Sequence, residues 1–305
     1  MAINADTLID RLYLKSQITK WRILAIIFGV IALVSFTHRA TGNSPISGDY
    51  VARLSIDGII SDDREVYDLM DDLAGNPRAK AVIVWLDTPG GSAVGGEEMY
   101  LHLRKLAQKK PVVAVMRSIT ASAGYLTALG ADYIIAREGT ITGSIGVIIE
   151  TAEITELAQK IGIKPIIVKS APLKGMPSLI EKDTPESDRV IQQVVNDFYA
   201  YFVDLVEQRR HLPHDKALAL ADGRVVSGRR ALEDKLVDTL GGEEDAMDWL
   251  VKQRHLRKDL DIRDVKVKKE NGLLDELSQS LAGKFWGRSS TGLDGLVAIW
   301  HPQFH

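Results

Sequence analysis

A short run with almost no polar residue, AVIVWLD at residues 81–87, constrains the fold of this chain more than any other feature. A strand that is apolar on both sides must be covered on both faces, which is typical of parallel sheets with crossover helices. Similar strand-like runs recur at residues 50–60, 111–116, 132–136 and 164–169. Helical stretches lie between them, so the sequence predicts an α/β fold built on a parallel sheet.

The strongest helix prediction begins at Thr184, an N-cap threonine that precedes a proline in the first turn. Apolar residues then recur at helical spacing for about 25 residues. Further helices are predicted at residues 95–109, near Ser122, and at residues 152–160 and 243–252.

Charge and cysteine content exclude several classes of protein. The 305 residues include 38 Lys plus Arg against 41 Asp plus Glu, a net charge of -3. No overall basic field therefore exists to hold a polyanion, and we expect no nucleic acid partner. The chain has 0 Cys, which excludes disulfides, cysteine nucleophiles and cysteine-ligated zinc.

An uncharged apolar run, ILAIIFGVIALVSF, lies near the N-terminus at residues 23–36. It is short for a membrane span, but flanking residues extend it and Arg22 and Arg39 can reach outward, so we predict a single transmembrane anchor at residues 23–37. A buried core helix and a cleaved secretory signal are the alternatives. The polar lead before the run and the lack of a small-x-small site directly after it favour an uncleaved anchor.

Basic residues are more frequent before this run than after it. Arg39 is followed by no other basic residue until Arg53, whereas four precede the run: Arg11, Lys15, Lys20 and Arg22. The positive-inside rule then predicts a cytoplasmic segment at residues 1–22, with the bulk of the chain outside the cytoplasm. We expect a linker at residues 38–48, a catalytic domain at 49–252 and an extension of unassigned role at 253–305.

Ligands of parallel sheets bind at the carboxyl ends of the strands, so the chemistry is sought in the turns after the predicted strands. The turn at residues 87–92 contains adjacent glycines, Gly90 and Gly91, whose main-chain N–H groups suit an oxyanion hole. An ordinary strand-to-helix turn is the alternative.

The next turn places Ser122 between small residues at the start of a helix, where the N–H of Ala123 could also hold a negative oxygen. The alternative for Ser122 is a simple helix N-cap, and Ser118 and Thr120 are rival hydroxyls. The glycine-punctuated, hydroxyl-rich turn at residues 139–146 includes Ser144, and a simple turn is the alternative.

Lys174 lies beyond the last predicted strand, between Leu173 and Gly175. A lysine amine that is kept neutral by desolvation can accept a proton from a serine hydroxyl, although most single lysines are solvated surface charges. The 7 His all lie outside these turns, so a Ser-His-Asp triad is poorly supported.

Taken together, these segments resemble the signal peptide peptidase A family of serine peptidases, which have a crotonase/ClpP-like fold of repeated ββα units. The resemblance rests on TPGGS at 88–92, SITASAGY at 118–125, TGSIGV at 142–147, the lysine at 174, and ADGRVVSGRRALEDKLVDTLGG at 221–242.

The resemblance implies roles for five residues: Ser122 as nucleophile, Lys174 as general base, Ser144 as the group that orients the lysine, and Gly91 and Ala123 as main-chain donors to the oxyanion. It implies no metal or organic cofactor, and a homo-oligomer in which active sites are shared between subunits.

The expected protein is a single-pass membrane peptidase of the bacterial inner membrane, with its catalytic domain on the extracytoplasmic side. Its expected substrates are cleaved signal peptides and other membrane-associated peptides. An acyl-CoA enzyme of the crotonase type and an inactive scaffold are the competing interpretations.

Overall fold

The computed structural model describes residues 20–29 and 48–266, together with the main chain of residues 297–299. By the packing of its main chain the protein divides into two units, residues 1–48 and 49–305. In the first unit, helix α1 spans residues 20–29 and its side chains are exposed.

Among the described residues, no helix combines the length and the apolar character that crossing a membrane requires. Of the predicted anchor at residues 23–37, only 23–29 are described, and residues 30–37 lie outside the described part of the chain. Most of the predicted cytoplasmic segment and linker, at residues 1–19 and 38–47, lies outside it too.

The second unit alternates strands and helices. Its strands are β1 (Tyr50–Ile60), β2 (Ala79–Ser92), β3 (Val112–Ala121), β4 (Tyr133–Ala136), β5 (Ile141–Gly143), β6 (Val225–Ser227), β7 (Thr239–Leu240), β8 (Asp261–Val265) and β9 (Val297–Ile299). Its helices are α2 (Arg64–Gly75), α3 (Ala93–Ala107), α4 (Ala123–Ala128), α5 (Thr155–Lys160), α6 (Pro185–Arg210), α7 (His214–Leu220), α8 (Gly228–Glu233) and α9 (Glu243–Arg254).

The strands form one mixed sheet, in which β6, β5, β3, β2, β1 and β8 lie side by side in that order. Strand β4 pairs with β3 and β7, and β9 pairs with β2. Pairing is parallel among the central strands β8, β1, β2, β3, β4 and β5, and antiparallel for β5 with β6 and for β2 with β9. The predicted α/β class and its parallel sheet are confirmed.

Strand β2 is covered on both faces, as its apolar sequence predicts. Val82, Val84 and Leu86 belong to a large core that also includes side chains of α2, α3, α4 and α6. Ala81 and Ile83 point to a smaller core on the other face, which α9 closes. The sheet is therefore a rigid central layer between helices, and it fixes where each strand ends.

Helix α6 begins and ends where its sequence signals lie. The Thr184 side chain accepts a hydrogen bond from the Ser187 N–H, Pro185 occupies the first turn, and His211 ends the helix in the left-handed conformation. This helix of 26 residues packs Phe202, Leu205 and Val206 into the large core. A capped end and an apolar face together explain why this helix was predictable.

The strand prediction at residues 164–169 is wrong. No strand is present there, and Ile166 and Val168 are 90% and 94% exposed. An apolar run indicates a tendency to be buried but does not identify its partner, and no described part of the chain covers Ile166 or Val168.

Two predicted turns are also corrected. Strand β2 continues through residues 87–92, and β3 continues to Ala121, so the expected turns after Leu86 and Met116 are extended chain. Threonine and serine continue a strand without strain, and hydrogen bonds to neighbouring strands hold them there. Residues 261–265, from the expected extension, form β8 beside β1.

The buried Tyr125 provides a test of the core. Its hydroxyl donates a 2.9 Å hydrogen bond to the Leu236 carbonyl, and burial raises the pKa of this hydroxyl, which keeps the proton in place. We expect Tyr125→Phe to lower the free energy of unfolding by about 1–3 kcal/mol, because a buried carbonyl loses its donor. Urea unfolding of the full chain measures this difference.

The control is Tyr100→Phe, since the Tyr100 hydroxyl has no hydrogen-bond partner among the described residues. Equal stability of the two variants would contradict the expectation.

Candidate active site

Ser122 lies at the junction of β3 and α4 in a conformation that non-glycine residues rarely adopt. Its φ is 55° and its ψ is -119°, and the residue is 1% exposed. Such a backbone costs of order 1–3 kcal/mol and persists only where surrounding contacts enforce it. A sharp strand-to-helix turn of this kind directs a serine hydroxyl away from the sheet and towards a ligand.

Ser144 is held in a similar way at the end of β5. Its φ is 50°, and Gly143 before it has a φ of 79°. The Ser122 N–H donates a 2.9 Å hydrogen bond to the Gly143 carbonyl, and the Ser144 N–H donates a 2.8 Å bond to the Arg224 carbonyl. The main chains of the two serines are therefore tied to each other and to the segment before β6.

Both serines line one cavity of about 340 Å³. Its lining residues come from the ends of β3 and β5, from α6 and from the loop before β6: Ser122, Ser144, Gly146, Val147, Ile148, Tyr199, Ala221, Asp222 and Gly223. The structure thus brings together two of the five predicted site residues, and none of the described histidines lines the cavity.

Ala123 and Gly91 belong to two segments that pack without room for larger side chains. A Cβ on Gly96 would lie 2.9 Å from the Ala123 Cβ, and one on Gly124 would lie 2.6 Å from the Thr88 Cγ2. The start of α4 therefore rests on the segment that contains Gly91. The Ala123 N–H, at the first position of a helix, has no carbonyl of the helix to bind.

Gly91 has no space for a side chain. A Cβ at this position would lie 1.8 Å from the Ile60 carbonyl oxygen, and the preceding Gly90 has a φ of 121°. The Thr88 hydroxyl accepts a 3.1 Å bond from the Gly90 N–H. The two glycines therefore let β2 pass close to β1 as it leaves the sheet.

Buried threonines, whose role in connecting these strands the sequence did not predict, link β5 to β3 and β3 to β2. The Thr142 hydroxyl donates a 2.7 Å hydrogen bond to the Thr120 carbonyl, and the Thr120 hydroxyl donates a 2.8 Å hydrogen bond to the Leu86 carbonyl. Each threonine precedes a site serine by two residues, Thr120 before Ser122 and Thr142 before Ser144. The repeated Thr-x-Ser spacing was the available signal.

Lys174 does not join the serines within this chain. Its side chain is exposed and is not part of the cavity lining. The residue lies in a turn, where its main-chain N–H donates a 3.1 Å hydrogen bond to the Ala171 carbonyl. Of the five predicted residues, Lys174, Gly91 and Ala123 are not among the residues that line the cavity, and of these three only Lys174 is exposed.

The negative charge of Asp222, which lines the cavity, is balanced by a neighbouring arginine. Asp222 pairs with the Arg224 guanidinium, and this hydrogen bond lowers the pKa of the Asp222 carboxyl. Burial, followed by the charge of Asp222, raises the pKa of the Tyr199 hydroxyl. Tyr199 therefore remains a hydrogen-bond donor at neutral pH.

Potential metal ligands do not converge on this cavity. Its one carboxylate, Asp222, is already paired with an arginine. In the described part of the chain, Asp204, Glu207 and His214 could together contact an ion. Their side chains lie on α6 and α7 and are exposed or half-buried, outside the cavity lining.

Strand β9 pairs with the edge of β2 beside this site. Gly91 pairs with Ala298 and Ser92 with Val297, in antiparallel register. Strand β3 pairs with β2 only as far as Thr88 and Thr120 and then turns into α4, and β9 pairs with the edge of β2 beyond that point. An extended main chain is thus accommodated along the glycines.

Residues 104–257 match the model of peptidase family S49. This stretch is half of the chain and includes Ser122, Ser144 and Lys174. The chain belongs to peptidase family S49. Membership supports the expected class of enzyme, a serine peptidase.

Curated relatives agree with this assignment. The chain is 41% identical over 169 residues to a candidate protease of Synechocystis sp., covering 55% of this chain and 61% of that protein. It is 34% identical over 224 residues to a candidate signal peptide peptidase SppA of Enterococcus faecium, covering 69% of this chain and 65% of that protein. The chain therefore spans about three fifths of the length of these relatives.

A solved membrane-bound stomatin-specific protease matches 72% of this chain and 99% of its own at 20% identity, with a TM-score of 0.47. A likeness of this strength does not assign a fold by itself.

The variant Gly91→Ala tests how closely β2 approaches β1 at Gly91. We expect the added methyl group to lower the free energy of unfolding by about 1–3 kcal/mol, because main-chain atoms of Ile60 must move to admit it. Chemical denaturation of the full chain measures the loss.

Gly75→Ala is the matched control, since a Cβ at Gly75 meets no atom within 4 Å. An alanine there should leave stability unchanged or raise it slightly. If Gly91→Ala were as stable as this control, the close packing described for β2 would be wrong.

Proposed function

We propose that this chain is a membrane-anchored serine endopeptidase in which Ser122 is the nucleophile and Lys174 the general base. The observation that carries the proposal is the placement of Ser122, strained at a strand-to-helix junction and sharing one cavity with Ser144. Membership of family S49 supports the same reaction. We assign the catalytic unit a crotonase/ClpP-like fold.

In the proposed reaction, the Ser122 Oγ attacks the carbonyl carbon of a peptide bond and transfers its proton to the neutral Lys174 Nζ. The tetrahedral intermediate collapses, the C–N bond breaks, and the leaving amine takes that proton from the lysine. Water, deprotonated by the same amine, then hydrolyses the ester and restores the serine. All of these steps use groups of the protein and water alone.

The negative oxygen of the intermediate is held by main-chain N–H groups of Gly91 and Ala123. The packing of α4 on the segment that contains Gly91 supports this pairing, because both amides belong to elements with fixed positions. Donors fixed in this way need no reorganisation as charge develops, and one such donor is typically worth about 10²–10³ in rate.

Lys174 reaches the serine from a second copy of the chain. Two observations support this arrangement: Lys174 is exposed and outside the cavity lining, and the nearby residues 163–168 expose a row of apolar side chains. Exposed apolar segments of this kind mark protein contacts. Ser144 then orients the incoming amine, which makes the enzyme a homo-oligomer with shared sites.

Substrates bind as extended peptides along the edge of β2. The antiparallel pairing of residues 297–299 with Gly90, Gly91 and Ser92 supports this, because it demonstrates that the edge accepts a strand. Acyl-CoA lacks such a main chain. Val147, Ile148 and Tyr199 on the cavity wall favour apolar side chains near the cleaved bond.

The apolar run at residues 23–37 anchors the enzyme in the bacterial inner membrane, with the catalytic unit on the extracytoplasmic side. The exposed apolar side chains of α1, such as Trp21, Ile26 and Phe28, support an anchor. The description of the Enterococcus relative as a signal peptide peptidase supports cleaved signal peptides as substrates, together with other membrane-associated peptides.

Ser122→Ala and Lys174→Ala test the two catalytic roles. We expect each to lower kcat/KM for a fluorogenic peptide by at least about 10³-fold, because the nucleophile or its base is missing. Co-expression of the two variants should restore part of the activity, since a mixed assembly pairs an intact serine with an intact lysine. The measurements use the full chain in mild detergent.

Full activity of Lys174→Ala would remove the lysine from the mechanism. Failure of co-expression to restore cleavage would place the dyad within one copy. Turnover of a thioester in place of peptides would favour an acyl-CoA enzyme, and a wild type inert to peptides and to a serine-reactive phosphonate would indicate a scaffold.

Ile166→Glu combined with Val168→Glu tests the contact between copies. Both side chains are almost fully exposed, so we expect thermal stability of the single copy to change little. Assembly and peptide cleavage should both be lost, because carboxylates cannot enter an apolar contact without a large desolvation cost. Analytical ultracentrifugation measures the assembly.

The control is Leu101→Glu, on α3, where an apolar side chain is 46% exposed. It should assemble as the wild type does. Normal assembly of the double variant would exclude this segment from the contact.

A further inference from the structure

The loop at residues 221–224 holds Ser144 in place. Its Arg224 carbonyl accepts the 2.8 Å hydrogen bond from the Ser144 N–H. Because Ser144 has a φ of 50°, an unfavourable conformation for serine, its position depends on such external contacts. A displacement of the Arg224 carbonyl would therefore move Ser144.

Two side chains stabilise this loop: Asp222, which belongs to the loop, and Tyr199, which lies on α6. The Asp222 carboxylate accepts a 3.1 Å bond from the Arg224 N–H and pairs with the Arg224 guanidinium. The Tyr199 hydroxyl donates a 2.8 Å bond to the Ala221 carbonyl. Ala221 is buried, so its carbonyl has little access to water if the tyrosine hydroxyl is removed.

Tyr199 is well suited to serve as a fixed anchor. It lies in the long helix α6, and its side chain packs against the large core next to Phe198 and Tyr201. The same side chain lines the cavity that contains Ser122 and Ser144. It therefore connects a rigid helix to the loop that positions Ser144.

We infer that Tyr199 is a positioning residue for the proposed reaction, acting on Ser144 through the Ala221–Arg224 loop. A hydrogen-bonded path leads from the Tyr199 hydroxyl to Ala221, along the loop to Arg224, and from Arg224 to the Ser144 N–H. From there it continues through Gly143 to the Ser122 N–H. The inference rests on the proposed function, because Ser144 is the residue that orients the lysine amine.

Tyr199→Phe removes only the hydroxyl, and Tyr201→Phe is its matched control. Tyr201 is on the same helix, is half-buried like Tyr199, and its hydroxyl has no hydrogen-bond partner among the described residues. Asp222→Ala removes the pairing of Asp222 with Arg224 inside the same loop and is a second variant. All are studied as full chains, at a temperature well below the melting temperature of each variant.

Two measurements are made on each variant. For Tyr199→Phe and Asp222→Ala we expect kcat for a fluorogenic peptide to fall by about tenfold with KM within about twofold, because orientation is lost but substrate contacts remain. We also expect faster hydrogen exchange at the Ser144 amide, whose acceptor becomes mobile. Tyr201→Phe should match the wild type in both.

Unchanged kcat in Tyr199→Phe, with Ser122→Ala inactive, overturns the inference and leaves the proposed function standing. Unchanged exchange at Ser144 overturns it as well, since the loop would then not depend on the tyrosine. If Ser122→Ala retains activity, the proposed function fails, and the role of Tyr199 in peptide cleavage fails with it.

Discussion

Close packing of small residues is the constraint on which the site depends. Gly96 lies against Ala123, Gly124 lies against Thr88, and Gly91 lies against the main chain at Ile60. No larger side chain fits at these contacts, so α3 and α4 approach β2 closely enough for main-chain amides to replace side chains in the proposed oxyanion site. The core beneath, packed on both faces of the sheet, keeps these distances from relaxing.

The strained main-chain conformations of the two serines are stabilised by contacts with neighbouring segments. Ser122 and Ser144 both have positive φ values, and each is fixed by a main-chain hydrogen bond to another segment. Their hydroxyls are consequently positioned by distant parts of the chain, including the loop before β6. The geometry of the cavity is thus a property of the whole fold, because the loop that binds the Ser144 N–H is itself hydrogen-bonded to Tyr199 of α6.

Local sequence patterns predicted those helices and strands that are determined by residues close to one another in the sequence. Strand β1, the helix after Thr184 and the short helix at Ser122 follow from alternation, capping and small residues, whereas the catalytic role of Ser122 stays a prediction. The contribution of Tyr199 was not predictable, because it arises where a helix meets a loop 22 residues further along. The wrong strand at residues 164–169 has a similar reason: its apolar side chains indicate burial, but nothing in the described part of the chain covers Ile166 or Val168.

That exposed segment, KPIIVK, is bounded by Lys164 and Lys169. Lys169 forms an ion pair of 2.7 Å with Glu181, whereas the first lysine has no ion-pair partner in the described part of the chain. If many copies stacked this segment in register, as in a fibril, every Lys164 would lie directly over its counterpart, and the repulsion between like charges would accumulate along the stack. The flanking charge therefore opposes open-ended aggregation while leaving the apolar residues between the lysines available for a closed assembly.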